Sequence, residues 1–115
     1  TLTRGEVVVR LADADVALVR LPVGADPVPV VRLAGPGERP KRFPFDAVSV
    51  GCGDGGRPTV RAERVTGKRL VRRPGGGAAF FWETADAPVP GRSGGPLLDG
   101  RGRVIGLCAA GRDGA

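Results

Sequence analysis

The sequence has no histidine and no tyrosine in its 115 residues. Without histidine there is no self-contained Ser-His-Asp or Cys-His catalyst, no His-ligated zinc site and no His proton shuttle. Aromatic residues are scarce, four Phe and one Trp. A stacking platform for single-stranded nucleic acid is therefore not expected. Two cysteines, Cys52 and Cys108, cannot complete a four-ligand zinc site in a chain that lacks His. They either pair or sit as two apolar thiols, and the sequence leaves both open. No metal or cofactor is expected. No apolar run is long enough to read as a membrane span, and no signal or transit peptide is visible.

What is present points to a β-rich globular chain. The 20 Gly and 11 Pro are spread through nearly every window, so helix should be scarce. A hydrophobic share of 41% is enough to support a packed core. The length fits one domain, or one and a fragment. Basic residues outnumber acidic ones 18 to 12, giving +6. Such a balance permits binding to nucleic acid or an anionic surface. The basic residues are scattered, however, and the cluster Lys68, Arg69, Arg72 and Arg73 reads as a solvated hairpin tip. No nucleic-acid partner is expected.

Apolar alternation marks short strands at Glu6–Leu11 and Asp15–Leu21, with 12–14 as the turn between them. Residues 24–46 carry five prolines and a charged stretch, and read as a connector enclosing one short strand, Val28–Leu33. Further strands are expected at Ala47–Gly51, Thr59–Val65 and Arg69–Arg72, with Gly67 dividing the last two. Ala78–Glu83 is the most apolar run and reads as a buried strand. Pro96–Asp99 and Val104–Ala109 form a hairpin across Gly100-Arg101-Gly102. The fold class is all-β.

One stretch carries chemistry: Pro90-Gly-Arg-Ser-Gly-Gly-Pro-Leu-Leu-Asp99, followed by Gly102-Arg-Val-Ile-Gly-Leu107. Ser93 stands among Gly91, Gly94 and Gly95, which permit positive φ and close backbone approach. A serine on such a turn can expose its hydroxyl while neighbouring N–H groups converge on one point. That arrangement is what an oxyanion hole requires. The hairpin that follows would brace the turn.

This stretch resembles the nucleophile motif of the trypsin-like, chymotrypsin-fold serine peptidases, in particular their HtrA-like bacterial branch. The resemblance implies a double β-barrel with the cleft between barrels. It implies Ser93 as nucleophile and the N–H groups of Gly91 and Ser93 as oxyanion donors. Asp15-Val-Ala-Leu-Val resembles the family's acid-bearing strand, which makes Asp15 the acid. Residues 1–23 would be the last strands of the first barrel, 24–46 the interdomain connector, and 47–115 most of the second barrel. The specificity pocket would be lined by Ala87, Val89 and Pro90 on one wall, and by Leu107, Cys108, Ala109 and Ala110 on the other. No acidic side chain is among them, so a small or medium apolar P1 residue is expected rather than Lys or Arg.

The family's histidine lies upstream of its acid. Its absence here, with Thr1 directly before strand-like sequence, reads as truncation, and the 115 residues alone are expected to be inactive. Arg92 stands where trypsin-type enzymes have an aspartate that pairs with a freed N-terminus, so activation of that kind is not expected. The implied partner is a polypeptide substrate. The implied location is extracytoplasmic. Two other readings stay open: an inactive homologue that binds peptides, and a basic β-barrel that binds nucleic acid.

Overall fold

The structure, a computed structural model, describes residues 3–22, 24, 28–86 and 89–109, with only the backbone at 54. The described residues form seven strands: β1 (Glu6–Leu11), β2 (Val16–Arg20), β3 (Phe45–Gly51), β4 (Thr59–Arg72), β5 (Ala78–Thr84), β6 (Pro96–Leu98) and β7 (Val104–Leu107). The only helical turns among them are short 3-10 turns at Ala12–Ala14, Pro36–Glu38 and Gly53–Gly55. The all-β expectation holds. No helix among the described residues is long and apolar enough to cross a membrane. The chain divides into two compact units, Thr1–Val30 with Arg69–Phe81, and Val31–Lys68 with Trp82–Ala115.

In the first unit, β1 and β2 pair antiparallel from Glu6 opposite Arg20 to Leu11 opposite Val16, with a bulge between Val7 and Val9. The connecting 3-10 turn closes on Asp15, whose φ of 57° is left-handed and whose N–H donates to the Ala12 carbonyl at 3.2 Å. Asp and Asn tolerate this region better than most side chains. The apolar residues of the pair are not buried: Val7, Val9, Leu11, Leu18 and Val19 are all exposed. Arg73 departs from the expected solvated tip. Its Nε donates to the Asp13 carbonyl at 3.0 Å, and its guanidinium lies 5.3 Å from the Phe81 ring centre. The flat guanidinium can meet a carbonyl and a ring face together.

The larger sheet has strand order β5-β4-β3-β6-β7. In the second unit its alternation places Ala47 and Ser49 of β3, and Glu63 and Val65 of β4, inside. Ala47, Val65, Leu97 and Ile105 are the buried apolar core, with Ala34, Phe45 and Trp82 packed against it. Trp82 meets Phe45 edge to face at 5.4 Å, and its indole N–H donates to the Ile105 carbonyl at 2.9 Å. The β6–β7 turn is braced by Asp99, whose Oδ1 accepts from the N–H of Arg101 at 2.8 Å and of Arg103 at 2.9 Å. Arg103 in turn pairs with Asp99 and Glu38.

Three local expectations are corrected. Val28–Leu33 is not a strand. Only Leu33 bridges, to Val104, and Pro29 has no N–H of its own to give a ladder. Gly67 does not divide β4, which runs unbroken over 14 residues. A side chain there would meet only ordinary contact, so nothing forces a break at this glycine. Strand β5 is half-buried rather than buried. It is the sheet edge, and Phe80 is 65% exposed.

Candidate active site

Two tight turns in the second unit carry the Ser93 motif. The Arg92 N–H donates to the Val89 carbonyl at 3.2 Å, and the Gly95 N–H donates to the Arg92 carbonyl at 3.2 Å. Gly91 and Gly94 have φ of 89° and 88°, where an L side chain is strained. The turn is tied to the end of β7. Gly94 N–H donates to the Cys108 carbonyl at 2.6 Å, and Cys108 N–H to the Gly95 carbonyl at 2.7 Å. Gly95 has a second reason to be glycine, since a Cβ there would strike the Val50 carbonyl oxygen. Ser93 is exposed. Among the described residues, the N–H groups of Gly91 and Ser93 have no acceptor.

The neighbouring side chain faces the other way. Arg92 is only 7% exposed. Its Nη1 donates to Thr59 Oγ1 at 2.7 Å and to the Gly51 carbonyl at 3.3 Å. Its Nη2 donates to the Ser49 carbonyl at 3.0 Å, Ser49 Oγ at 3.1 Å and the Thr59 carbonyl at 3.2 Å. Ser49 Oγ passes the interaction on, donating to Glu63 Oε2 at 2.6 Å. Arg61 closes the cluster with Nε on Glu63 Oε2 at 2.8 Å and Nη2 on Oε1 at 3.1 Å. Burial alone would raise the Glu63 carboxyl. Hydrogen bonds from Arg61 and Ser49, with the charges of Arg61 and Arg92, outweigh it and hold Glu63 below the ordinary carboxylate range.

The expected pocket residues fall as follows. Val89, Cys108 and Ala109 are half-buried, while Pro90 and Leu107 are exposed. Ala87 and Ala110 lie outside the described residues. Cys52 and Cys108 are free, which resolves the open alternative against a disulfide. Burial, with the charge of Glu63, pushes the Cys108 thiol up, so it stays a neutral thiol rather than a thiolate nucleophile. The described residues include no cluster of three or more metal-ligating side chains.

Asp15 belongs to the first unit. It is exposed and lines an open cleft of about 460 Å³ with Ala12, Asp13, Arg73, Gly75 and Gly76. The buried cluster of Arg92, Ser49, Glu63 and Arg61 was not foreseen from the sequence. A signal existed, because Arg61 and Glu63 share the strand parity of the core residue Val65.

A profile of the trypsin-like peptidase domain matches residues 1–107. The chain belongs to the trypsin-like peptidase family. The fold agrees: Rv3671c from M. tuberculosis H37Rv, crystallised as a serine-to-alanine mutant in an inactive form, matches with a TM-score of 0.74 at 23% identity. The match covers 96% of this chain and 55% of that one, so the chain spans about half the length of that protein. No curated protein matches with significance.

Proposed function

We propose that this chain supplies the nucleophile half of a serine endopeptidase of the HtrA-like kind, and that the intact protein cleaves peptide bonds. The observation that carries this is Ser93. It stands exposed on a glycine turn beside two N–H groups that have no acceptor among the described residues. Residues 1–23 then belong to a first barrel, 24–46 to a connector and 47–115 to a second barrel. The general base is a histidine outside these residues.

In this mechanism Ser93 Oγ attacks the scissile carbonyl carbon while its proton passes to that histidine. Gly91 and Ser93 N–H groups hold the oxyanion. Collapse breaks the C–N bond, the histidine protonates the leaving amine, and an acyl ester remains on Ser93. Water then attacks the ester and restores the hydroxyl. Asp15, exposed at its cleft, accepts a hydrogen bond from the histidine and holds its tautomer. Val89, Pro90, Ala87 and, opposite them, Leu107, Cys108, Ala109 and Ala110 receive an apolar P1 side chain. Glu63, the carboxylate that acts on Cys108, is already paired with Arg61, so it does not recruit a basic P1 residue. The substrate is a polypeptide and the location extracytoplasmic.

The absence of any histidine in the 115 residues favours one second reading, an inactive homologue that binds peptides through the same surface. Nucleic-acid binding is less well supported, because Arg61, Arg73, Arg92 and Arg103 are engaged within the fold. A fluorophosphonate probe on the intact protein separates the readings. Labelling that disappears in Ser93→Ala is expected. An unlabelled wild-type protein favours the inactive homologue, and labelling that survives Ser93→Ala rejects Ser93 as nucleophile.

A further inference from the structure

The side chain next to the candidate nucleophile is a buried cation, and nothing in the acyl-transfer steps uses it. Burying a guanidinium is costly unless its donors and charge are met. Here five hydrogen bonds from Nη1 and Nη2 reach Ser49, Gly51 and Thr59, on β3 and β4. Only Nε is without a partner among the described residues. The counter-charge comes at one remove: Ser49 Oγ accepts from Arg92 and donates to Glu63. Gly51 makes room for the side chain, since a Cβ there would come within 3.0 Å of Arg92 Cα and Cβ.

We propose that Arg92 is a positioning residue, whose buried guanidinium locks the Ser93 turn onto β3 and β4. The proposal rests on the reading of Ser93 as nucleophile. Its physical basis is peptide planarity. The Ser93 N–H shares a rigid plane with the Arg92 carbonyl, which accepts from Gly95. In a trans peptide the N–H points opposite to the carbonyl. The Ser93 N–H is thereby aimed away from Gly95. The Arg92 N–H, held by Val89, orients the preceding plane in the same way. Both planes meet at the Arg92 Cα, and the side chain on that atom is anchored at three places 33 to 43 residues away in sequence. The turn is thus set from inside the fold, by contacts on β3 and β4.

Arg92→Lys is the test, in the intact protein. Lysine keeps the charge, but its single ammonium cannot span Thr59 and Ser49 as the planar fork does. The maximal inactivation rate by a fluorophosphonate should fall about tenfold or more, with the probe's half-saturation within about threefold of wild type. Amide exchange at Gly94 and Gly95 should speed up about tenfold while Val65 and Ile105 stay protected. Thr59→Val, which removes the shortest acceptor but leaves Arg92 in place, should give a smaller loss of the same kind. It also serves as the working variant if Arg92→Lys does not fold. An inactivation rate within about twofold of wild type, unchanged exchange at Gly94 and Gly95, or equal loss of protection at Val65 would each overturn the proposal. If the wild-type protein does not label, the peptidase reading fails, and the exchange measurement still decides the role of Arg92.

Discussion

Ser93 and Arg92 are adjacent and face opposite surroundings, one exposed and one buried. This division is possible because Gly91 and Gly94 take left-handed φ values on either side of them. Gly95 is equally constrained, by the Val50 carbonyl. Gly95→Ala is expected to lower the thermal midpoint sharply or to prevent folding, since backbone rather than a flexible side chain must give way. A melting temperature unchanged within about a degree would show that the turn can move freely. Glu63 is the other residue on which much depends. It answers two cations, and Glu63→Ala removes the carboxylate that Arg61 binds and the counter-charge that reaches Arg92 through Ser49. A loss of roughly 1–3 kcal/mol is expected, the cost of leaving buried hydrogen-bond partners of a charged group unmet. Urea titration of the variant measures it.

At the level of elements, the β6–β7 hairpin carries both core and site. Leu97 of β6 and Ile105 of β7 are buried, while the residues just before β6 and just after β7 hold the Ser93 turn. Leu97→Ala is expected to cost about 2–5 kcal/mol, according to how far the cavity collapses. Its effect should reach the turn, because β6 also pairs with β3. Loss of fluorophosphonate labelling in step with loss of stability, measured side by side, checks that coupling. The hairpin was legible in the sequence, since Asp99, Gly100 and Gly102 are turn formers between two apolar runs. The Val28–Leu33 segment was not. Its apolar residues flank a single proline, Pro29, and composition alone did not say that no ladder forms.

On the scale of the whole molecule, an excess of arginine does not amount to a free basic surface. Several guanidiniums serve carboxylates or carbonyls within the fold, and this creates an acid-sensitive set of contacts. Glu38 is held below its ordinary range mainly by the Gly35 N–H, Asp99 by the Arg103 N–H, and Glu63 by Arg61 and Ser49 against its burial. A carboxylate with a lowered folded pKa contributes stability above its unfolded value and loses it as pH falls through the folded one. Stability is therefore expected to be flat near neutrality and to decline once pH drops below the ordinary carboxylate range. Thermal melts across that range, with Glu63→Gln as comparison, test the expectation. The variant should show a shallower acid decline, and parallel curves would remove Glu63 from the account.

The sequence by itself determined the strand-and-turn grammar, the all-β class, the family and the serine turn. These depend on local signals, namely alternation, glycine placement and a contiguous motif. Only the tertiary structure decided that Arg92 points inward and which partners meet Glu63, whose strand parity with Val65 marks only its side of the sheet. Antiparallel pairing brings Ser49 opposite Arg61, and Gly51 opposite Thr59, beneath the turn. No local pattern reports a partner so distant along the chain. In sequence, a charged residue on an alternating strand reads as solvated until the neighbouring strand supplies its counter-charge.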